Sequence, residues 1–453
     1  MAGNKDGVIT KTIWHYSKTL TPDVMDFLRG IAVDYAKVRA YVYKRYSGIK
    51  SVNRLVPAYN ILNEMRYCGL RSSLNLPTVY YELAVAEALT NIRVAWSNLK
   101  NKLRELIHNN GNLTDSDRQY VRTVIKINSV FAAVLNREQY DMPHSLVGLA
   151  VDVKRLNNLI CRLVRRHISA PKNSSSAYFR VSPNGYKCKD GHLFIVSRVP
   201  RKRVALPLKD WAATGRQIQI QIRDDYVAIA VPLDVTVEDD QDSSRVVCAY
   251  IGYKDMCILS NGHIYGRNLN TIVTAETERL GIKNAERNKL RSVYEYSLAA
   301  GRSAKARNIK TNNLGKYKYD KQKRRKREQT QNFINAELNR MLDLEKPGTV
   351  VITKMVKKNV AKSYNKSLNR RLGRSFGAYI RHRLAYKCRL KNINLVEISS
   401  KDTGNVCSQC GAEGIRKGYD FVCAECGFTA DVGYNSARDI EIKWFNSVRT
   451  ENE

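Results

Sequence analysis

Four cysteines constrain this chain more than any other feature. Cys407-Ser408-Gln409-Cys410 and Cys423-Ala424-Glu425-Cys426 repeat the C-x2-C pattern with twelve residues between them, and each pair runs into a glycine, Gly411 and Gly427. Two residues between cysteines turn both sulfurs to one side. Two such turns complete a tetrahedral thiolate shell, so the segment is expected to fold around a structural zinc held by Cys407, Cys410, Cys423 and Cys426. A shell closed by four thiolates has no open position, so the ion stabilises the fold and does no chemistry. Redox pairing is the competing reading of C-x2-C. Ten cysteines in 453 residues lie far below the density of a disulfide scaffold.

Charge sets the class of partner. The chain carries 77 Lys+Arg against 42 Asp+Glu, a formal net charge of +35. Each cation that neutralises a phosphate releases counterions and adds affinity, so a polyanion, nucleic acid first, is the expected partner. A generic basic surface is the plainer alternative. A membrane surface fits less well, because the basic residues are spread along the chain among 26 Tyr and 9 Phe and do not form one amphipathic helix. With 43% hydrophobic residues the chain can bury several cores, and its length points to two to four domains, which excludes general disorder. No apolar run approaches membrane-spanning length, and Met-Ala-Gly-Asn-Lys-Asp-Gly lacks the apolar core of a secretory signal, so a cytoplasmic, nucleoid-associated protein is expected.

The first third reads as helical. After Pro77, the residues Val85, Leu89, Ile92, Trp96, Leu99, Leu103 and Ile107 recur every three or four positions until Asn109-Asn110-Gly111. Thr114 and Asp117 form a capping-box pattern ahead of Val121, Val124, Phe131 and Val134. A third helix is expected from about Ser145 to His167. Beyond Ala170 the period falls to two, with Leu193 to Val196 and with Ile218, Ile220 and Ile222 alternating with glutamines. Asp224-Asp225 then predicts a hairpin into Tyr226–Val231. Val8 to Leu20 is a weaker strand signal that would join the same β unit.

Glu238-Asp239-Asp240-Gln241-Asp242-Ser243-Ser244 is the best linker in the sequence and marks a domain boundary. After it, Arg245–Ile251 reads as a buried strand. Asp255 to Tyr265 reads as two more strands about an Asn261-Gly262 turn, so an antiparallel meander opens this domain. A charged helical stretch is expected from about Thr277 to Leu344, and Thr349-Val350-Val351-Ile352 supplies a further strand, giving a mixed α/β sheet. Lys316-Tyr317-Lys318-Tyr319-Asp320-Lys321-Gln322-Lys323-Arg324-Arg325-Lys326-Arg327 is the one strongly biased segment. Its cations suit phosphates and its rings suit bases or riboses. A solvated helix face or a localisation-like tract would show the same composition.

Leu384-Ala385-Tyr386-Lys387, Asn405–Gly411, Phe421–Gly427 and Tyr434-Asn435-Ser436-Ala437-Arg438-Asp439-Ile440 together resemble the C-terminal signature of transposon-encoded TnpB proteins and compact, miniature V-F-like type V CRISPR effectors. The resemblance covers the C-terminal half by motif and the N-terminal half by layout. It implies a multidomain α+β and α/β protein with a helical recognition lobe, a β-rich wedge domain and an RNase H-like RuvC domain carrying a zinc ribbon. The corresponding boundaries are 1–20 (a β segment of the wedge), 21–170 (recognition lobe), 171–243 (wedge), 244–404 (RuvC-like, with a basic helical insertion), 405–428 (zinc ribbon) and 429–453 (C-terminal RuvC segment).

In that family three carboxylates from distant segments hold two magnesium ions, which activate water and stabilise the leaving oxygen. The matching positions here hold Tyr250, Thr353 and Gly433, and Asp431 matches only a companion acid earlier in the third motif. A phenol, a neutral hydroxyl and a glycine cannot replace three anionic ligands. No catalytic magnesium is therefore expected. Asp255, Glu397, Asp402, Asp431 and Asp439 are the acids from which a shifted site would have to be rebuilt.

The RuvC nuclease of that family cuts DNA, so binding without cutting is expected from the departure, the three acids being absent while the charge, the basic helix and the zinc ribbon are kept. A guide RNA would read the target by base pairing, while the protein grips the heteroduplex and a short flanking motif in double-stranded DNA. The expected function is RNA-guided transcriptional regulation, by occupancy or through a recruited RNA polymerase or sigma factor. The competing readings are an endonuclease with a displaced metal site, a guide for a transposase, and a protein that binds RNA without opening DNA. Monomer and homodimer both stay open. Nucleic-acid contacts are expected at Lys316, Lys318, Lys321, Lys323, Arg324, Arg325, Lys326 and Arg327.

Overall fold

A computed structural model describes residues 8–172, 177–210, 215–237, 242–315, 317–354 and 376–452. Two compact units are present, Thr10–Asp234 and a second built from Met1–Ile9 with Val235–Glu453. The protein is a mixed helical and sheet multidomain structure.

In the first unit the helices are α1 (Pro22–Tyr46), α2 (Tyr59–Tyr67), α3 (Leu70–Ser73), α4 (Thr78–His108), α5 (Asp115–Lys126), α6 (Asn128–Asn136) and α7 (Val153–His167). The apolar stripe of α4 is buried along its length, from Tyr80 to Ile107. Both bonds of the Thr114/Asp117 capping box are present at the start of α5. Helical spacing continues through Phe131, but Ile127 is extended and divides the run into α5 and α6. The last helix begins later than the sequence predicts. Gly148 has φ +86°, and Asp152 caps the true start by accepting from the Arg155 amide at 2.9 Å, so only a single 3-10 turn forms at His144–Leu146.

Two sheets complete this unit. One is ordered β1-β7-β6-β2, from Val8–Tyr16, Val227–Thr236, Ile218–Ile222 and Tyr178–Val181, and the other is the meander β3-β4-β5 from Tyr186–Lys189, His192–Val196 and Arg203–Pro207. The Asp224-Asp225 turn closes the predicted hairpin, with Ile222 opposite Val227. Buried Glu87 on α4 ties helices to sheet. It accepts from Tyr35 at 2.7 Å, Arg39 at 3.0 Å and Tyr178 at 2.5 Å, which satisfies a carboxylate that would otherwise be costly to bury. Tyr80 meets Phe179 edge to face at 5.4 Å, worth about 0.5–1.5 kcal/mol beyond burial.

The second unit centres on a five-stranded sheet ordered β10-β9-β8-β11-β12, from Ile264–Tyr265, Cys257–Leu259, Asp242–Tyr250, Pro347–Thr353 and Asn394–Ile398. β8, β9 and β10 form the antiparallel meander, turning at Asn261-Gly262 with Gly262 at φ +87°. β11 is parallel to both β8 and β12. This is the mixed sheet that the resemblance to an RNase H-like domain implies. Residues 238–241 of the expected linker lie outside the described residues, while Asp242, Ser243 and Ser244, also assigned to it from sequence, already belong to β8.

The helical stretch expected over Thr277–Leu344 is interrupted. It forms α8 (Leu269–Ala299), the short α9 (Ser303–Asn308), a π turn at Ile309–Asn313 and α10 (Tyr317–Glu345). Gly301, at φ +70°, ends α8 by directing its amide to Leu298 O, a bond a continuous helix would not make. After α11 (Gly377–Leu390) and β12 come a small antiparallel sheet, β13-β14-β15 (Ile415–Lys417, Asp420–Val422, Thr429–Asp431), and the final helix α12 (Val432–Asn452). Apolar residues of α10 and α11, among them Leu338, Met341, Leu342, Ile380 and Leu384, bury one face of the five-stranded sheet. Ile440 of α12 packs with Cys248 and Val351 in a separate cluster. No described helix is long and apolar enough to cross a membrane.

Candidate metal centre and the sheet-end site

The two C-x2-C turns are built alike. Cys407 and Cys423 each donate their amide to the backbone oxygen five residues on, Ala412 at 2.8 Å and Phe428 at 2.9 Å. Gly411 and Gly427, at φ +79° and +72°, donate back to Cys407 O and Cys423 O. Both glycines take the left-handed conformation that a side chain would oppose. All four sulfurs lie within 4.8 Å of one another, with Cys407 Sγ to Cys426 Sγ at 3.7 Å and Cys410 Sγ to Cys423 Sγ at 3.5 Å. A tetrahedron with Zn–S bonds of about 2.3 Å has sulfur edges of about 3.8 Å. The donor set therefore fits zinc.

A residue that sequence reasoning had used only as a motif marker docks this knuckle. Asn435, in the first turns of α12, is fully buried. It accepts from the Ser408 amide at 2.9 Å and donates to Val406 O at 2.8 Å, bonding the backbone on both sides of Cys407.

The fold brings Tyr250, Thr353 and Gly433 to one end of the sheet. β8 and β11 are parallel with Val351 opposite Cys248, so Thr353 and Tyr250 finish their strands side by side at the same end of the sheet. Gly433, in the first turn of α12, abuts Ile258, the cross-strand partner of Tyr250. A Cβ built at Gly433 would collide with Ile258 Cδ1 and stand 3.0 Å from Asp431 Oδ1.

Cations and amides engage the groups that remain. Arg381 of α11 donates to Thr353 O. Burial lowers its pKa, and the nearby Glu397 and Tyr250 act against that shift. A guanidinium keeps its charge under such conditions. Asp431 accepts from the Gly433 amide at 2.7 Å with one oxygen and from Lys254 Nζ at 3.1 Å with the other. Lys254 also sits 5.2 Å from the Tyr419 ring centroid. Asp255 is buried and caps the Asn268 amide at 2.7 Å, and Asp439 pairs with Lys443 at 2.7 Å. Glu397 and Asp402 are exposed. The sequence did not reveal Arg381 as part of this site, because nothing in its local spacing distinguishes it from the other basic residues of α11.

Most of the basic run lies on α10. Lys318, Lys321, Lys323, Arg324, Arg325, Lys326 and Arg327 are all exposed. Lys316 and the side chain of Tyr317 lie outside the described residues. The ring of Tyr319 is already engaged: Arg287 covers it at 5.0 Å and its hydroxyl donates to Asn284 at 2.9 Å.

The sequence profile described as Cas12f1-like, TNB domain matches residues 378–440, a span covering α11, β12, the four-cysteine knuckle and the start of α12. No curated protein matches the chain. Among solved structures, the Cas12f1–sgRNA–target DNA complex aligns over 95% of this chain and 98% of that chain, at 12% identity and TM-score 0.27. The mini-RNA-guided endonuclease CRISPR-Cas_phi3 aligns over 96% and 92%, at 11% identity and TM-score 0.45. The AacC2c1–sgRNA binary complex aligns over 95% and 89%, at 10% identity and TM-score 0.40.

Proposed function

We propose a function that starts from the membership of this chain in the compact type V effector and TnpB-like family, which its Cas12f1-like TNB domain carries: the protein binds DNA under the direction of a guide RNA and holds the target uncut. In this reading residues 21–170 are the recognition lobe, 1–20 and 171–243 the wedge, and 244–453 the RuvC-like domain with its zinc ribbon. The net charge of +35 suits a protein that holds a polyanionic heteroduplex through its backbone.

One observation carries the uncut part of the proposal. At the end of the sheet, Tyr250, Thr353 and Gly433 stand together with Arg381 bonded to Thr353 O, and Asp431 is shared between Lys254 and a helix amide. Two divalent ions need several anionic oxygens in one place. This end of the sheet instead sets a guanidinium and an ammonium beside Glu397 and Asp431. A particle that stays on its target without cutting it regulates transcription by blocking polymerase or by marking a promoter.

The test uses the full chain with the RNA that copurifies with it. That RNA is sequenced, and a matched duplex is incubated with the complex and Mg²⁺. The expected result is a sequence-dependent single-stranded bubble, stable retention and no scission. Scission lost in Asp431→Asn or Asp255→Asn would establish a displaced metal site. RNA retention with no bubble on any duplex would identify an RNA-only binder.

A further inference from the structure

A groove of about 310 Å³ opens between α8, α10 and α11, with the buried side chains of Val273 and Leu280 as its floor. One turn after another of α10 sends Lys323, Lys326 and Arg327 to its rim, and Phe376 and Tyr379 form the opposite wall. None of the three cations has an ion-pair partner among the described residues, whereas Arg279 beside them pairs with Glu276. The two rings meet edge to face at 6.1 Å, and the Tyr379 hydroxyl accepts from Asn335 at 3.0 Å, which fixes the wall. Phe376 caps α11 at φ +56°, in the left-handed region, where a bulky side chain is unfavourable. Glycine or asparagine would cap the helix at lower cost, so the position keeps a ring against local preference. Glu276 completes the lining. Arg279 donates to each of its oxygens, at 2.7 and 2.8 Å, and each oxygen has a lone pair left.

We infer that this groove receives one unpaired nucleotide of a bound strand, its base against Phe376 and Tyr379 and its phosphate among Lys323, Lys326 and Arg327. The inference rests on the nucleic-acid-binding reading above and adds a specific receptor to it. The volume is at the small end of ligand sites, enough for a base and its sugar and too little for a paired duplex. Stacking on a ring accepts any base. The spare lone pairs of Glu276 favour a base with an exocyclic amine over uracil or thymine. A guide RNA and a displaced DNA strand offer the same chemistry, so the source is settled by experiment.

Two single-stranded 12-mers, one RNA and one DNA, each carrying one 5-iodocytosine, are bound to the full chain, irradiated and mapped by peptide mass spectrometry. The expected crosslink falls on Phe376 or Tyr379, and the arm that gives it identifies the source. The same oligonucleotide annealed to its complement gives none there. Phe376→Leu, which keeps apolar bulk, weakens single-strand binding toward the roughly 5- to 150-fold that one base stack contributes. Lys323→Gln, Lys326→Gln and Arg327→Gln together lower the salt slope by about 0.7 for each phosphate that is no longer neutralised. Should Phe376→Leu unfold, the wild-type crosslink map decides alone. Strands that bind but crosslink only elsewhere overturn the groove and leave the broader reading standing. If neither strand is retained, both fail.

Discussion

Replacing Asn435 with alanine tests whether the knuckle depends on the last helix. The side chain is fully buried, and its loss leaves the Ser408 amide and the Val406 carbonyl without the bonds of 2.9 and 2.8 Å that now satisfy them; neither group has another partner among the described residues. An unsatisfied buried polar group costs about 1–3 kcal/mol, so two cost roughly 2–6 kcal/mol. Alanine returns at most about 0.7 kcal/mol through its helix propensity. The net loss of roughly 1.3–5 kcal/mol corresponds to about 10- to 4,000-fold in an equilibrium constant. Because zinc binding and local folding share one free energy, the loss should appear as weaker zinc affinity. Titrating the zinc-loaded full chain with a chromogenic chelator measures it, and Asn435→Asp separates the two bonds, since it keeps the acceptor and removes the donor. A zinc affinity for Asn435→Ala within threefold of the parent would refute the reasoning, because the docking bonds would then be irrelevant to the metal site.

Three further outcomes are expected. Restoring acids as Tyr250→Asp, Thr353→Glu and Gly433→Asp should leave a matched duplex intact with Mn²⁺ unless Arg381→Ala is added: a guanidinium about 6 Å from a divalent ion repels it by roughly 5 kcal/mol at an effective dielectric of about 20. Cleavage by the triple variant alone would show that Arg381 is no obstacle. Arg324→Gln with Arg325→Gln, on exposed positions of α10 away from the groove, should weaken binding of every sequence alike and flatten its salt dependence, read by filter binding between 50 and 200 mM salt. Buried Glu345 gives a pH signature. Burial would raise its pKa, but hydrogen bonds from His263 at 2.5 Å and Tyr265 at 2.7 Å, with Arg245 nearby, outweigh that and lower it. A depressed folded pKa means stabilisation that is present above the ordinary carboxyl range and lost as pH falls through the folded value. The melting gap between the parent and Glu345→Gln should thus narrow as pH is lowered from 6 toward 3, and a constant gap would count against the ionised network.

What the sequence made legible was local. The cysteine spacing, the α4 stripe, the Thr114 capping box and the Asn261-Gly262 turn depend on neighbours within one or two turns, and their pattern survives in one dimension. The start of α7 was misread because the apolar residues Leu146, Val147 and Leu149 mimic helical spacing, while Gly148 at φ +86° reverses the chain among them. The length of the basic helix was misread because polar residues on all sides conceal the breaks at Gly301 and after Asn313. Tyr250, Thr353 and Gly433 could be singled out only through the motifs around them. The side chains that stand beside them were not legible, since Arg381 reaches Thr353 from another element and Lys254 reaches Asp431 across 177 positions.

The close approach of Ile258 to Gly433 sets the terms for any side chain placed at 433. A Cβ there meets the terminal methyl of Ile258, which can turn aside, and stands 3.0 Å from Asp431 Oδ1. An aspartate at 433 would therefore displace an aliphatic chain from the end of the sheet and face a second carboxylate at close range, a pair whose mutual repulsion only a cation can relieve. Glycine leaves that space to Ile258 and lets Asp431 take the helix amide and Lys254 without a competitor.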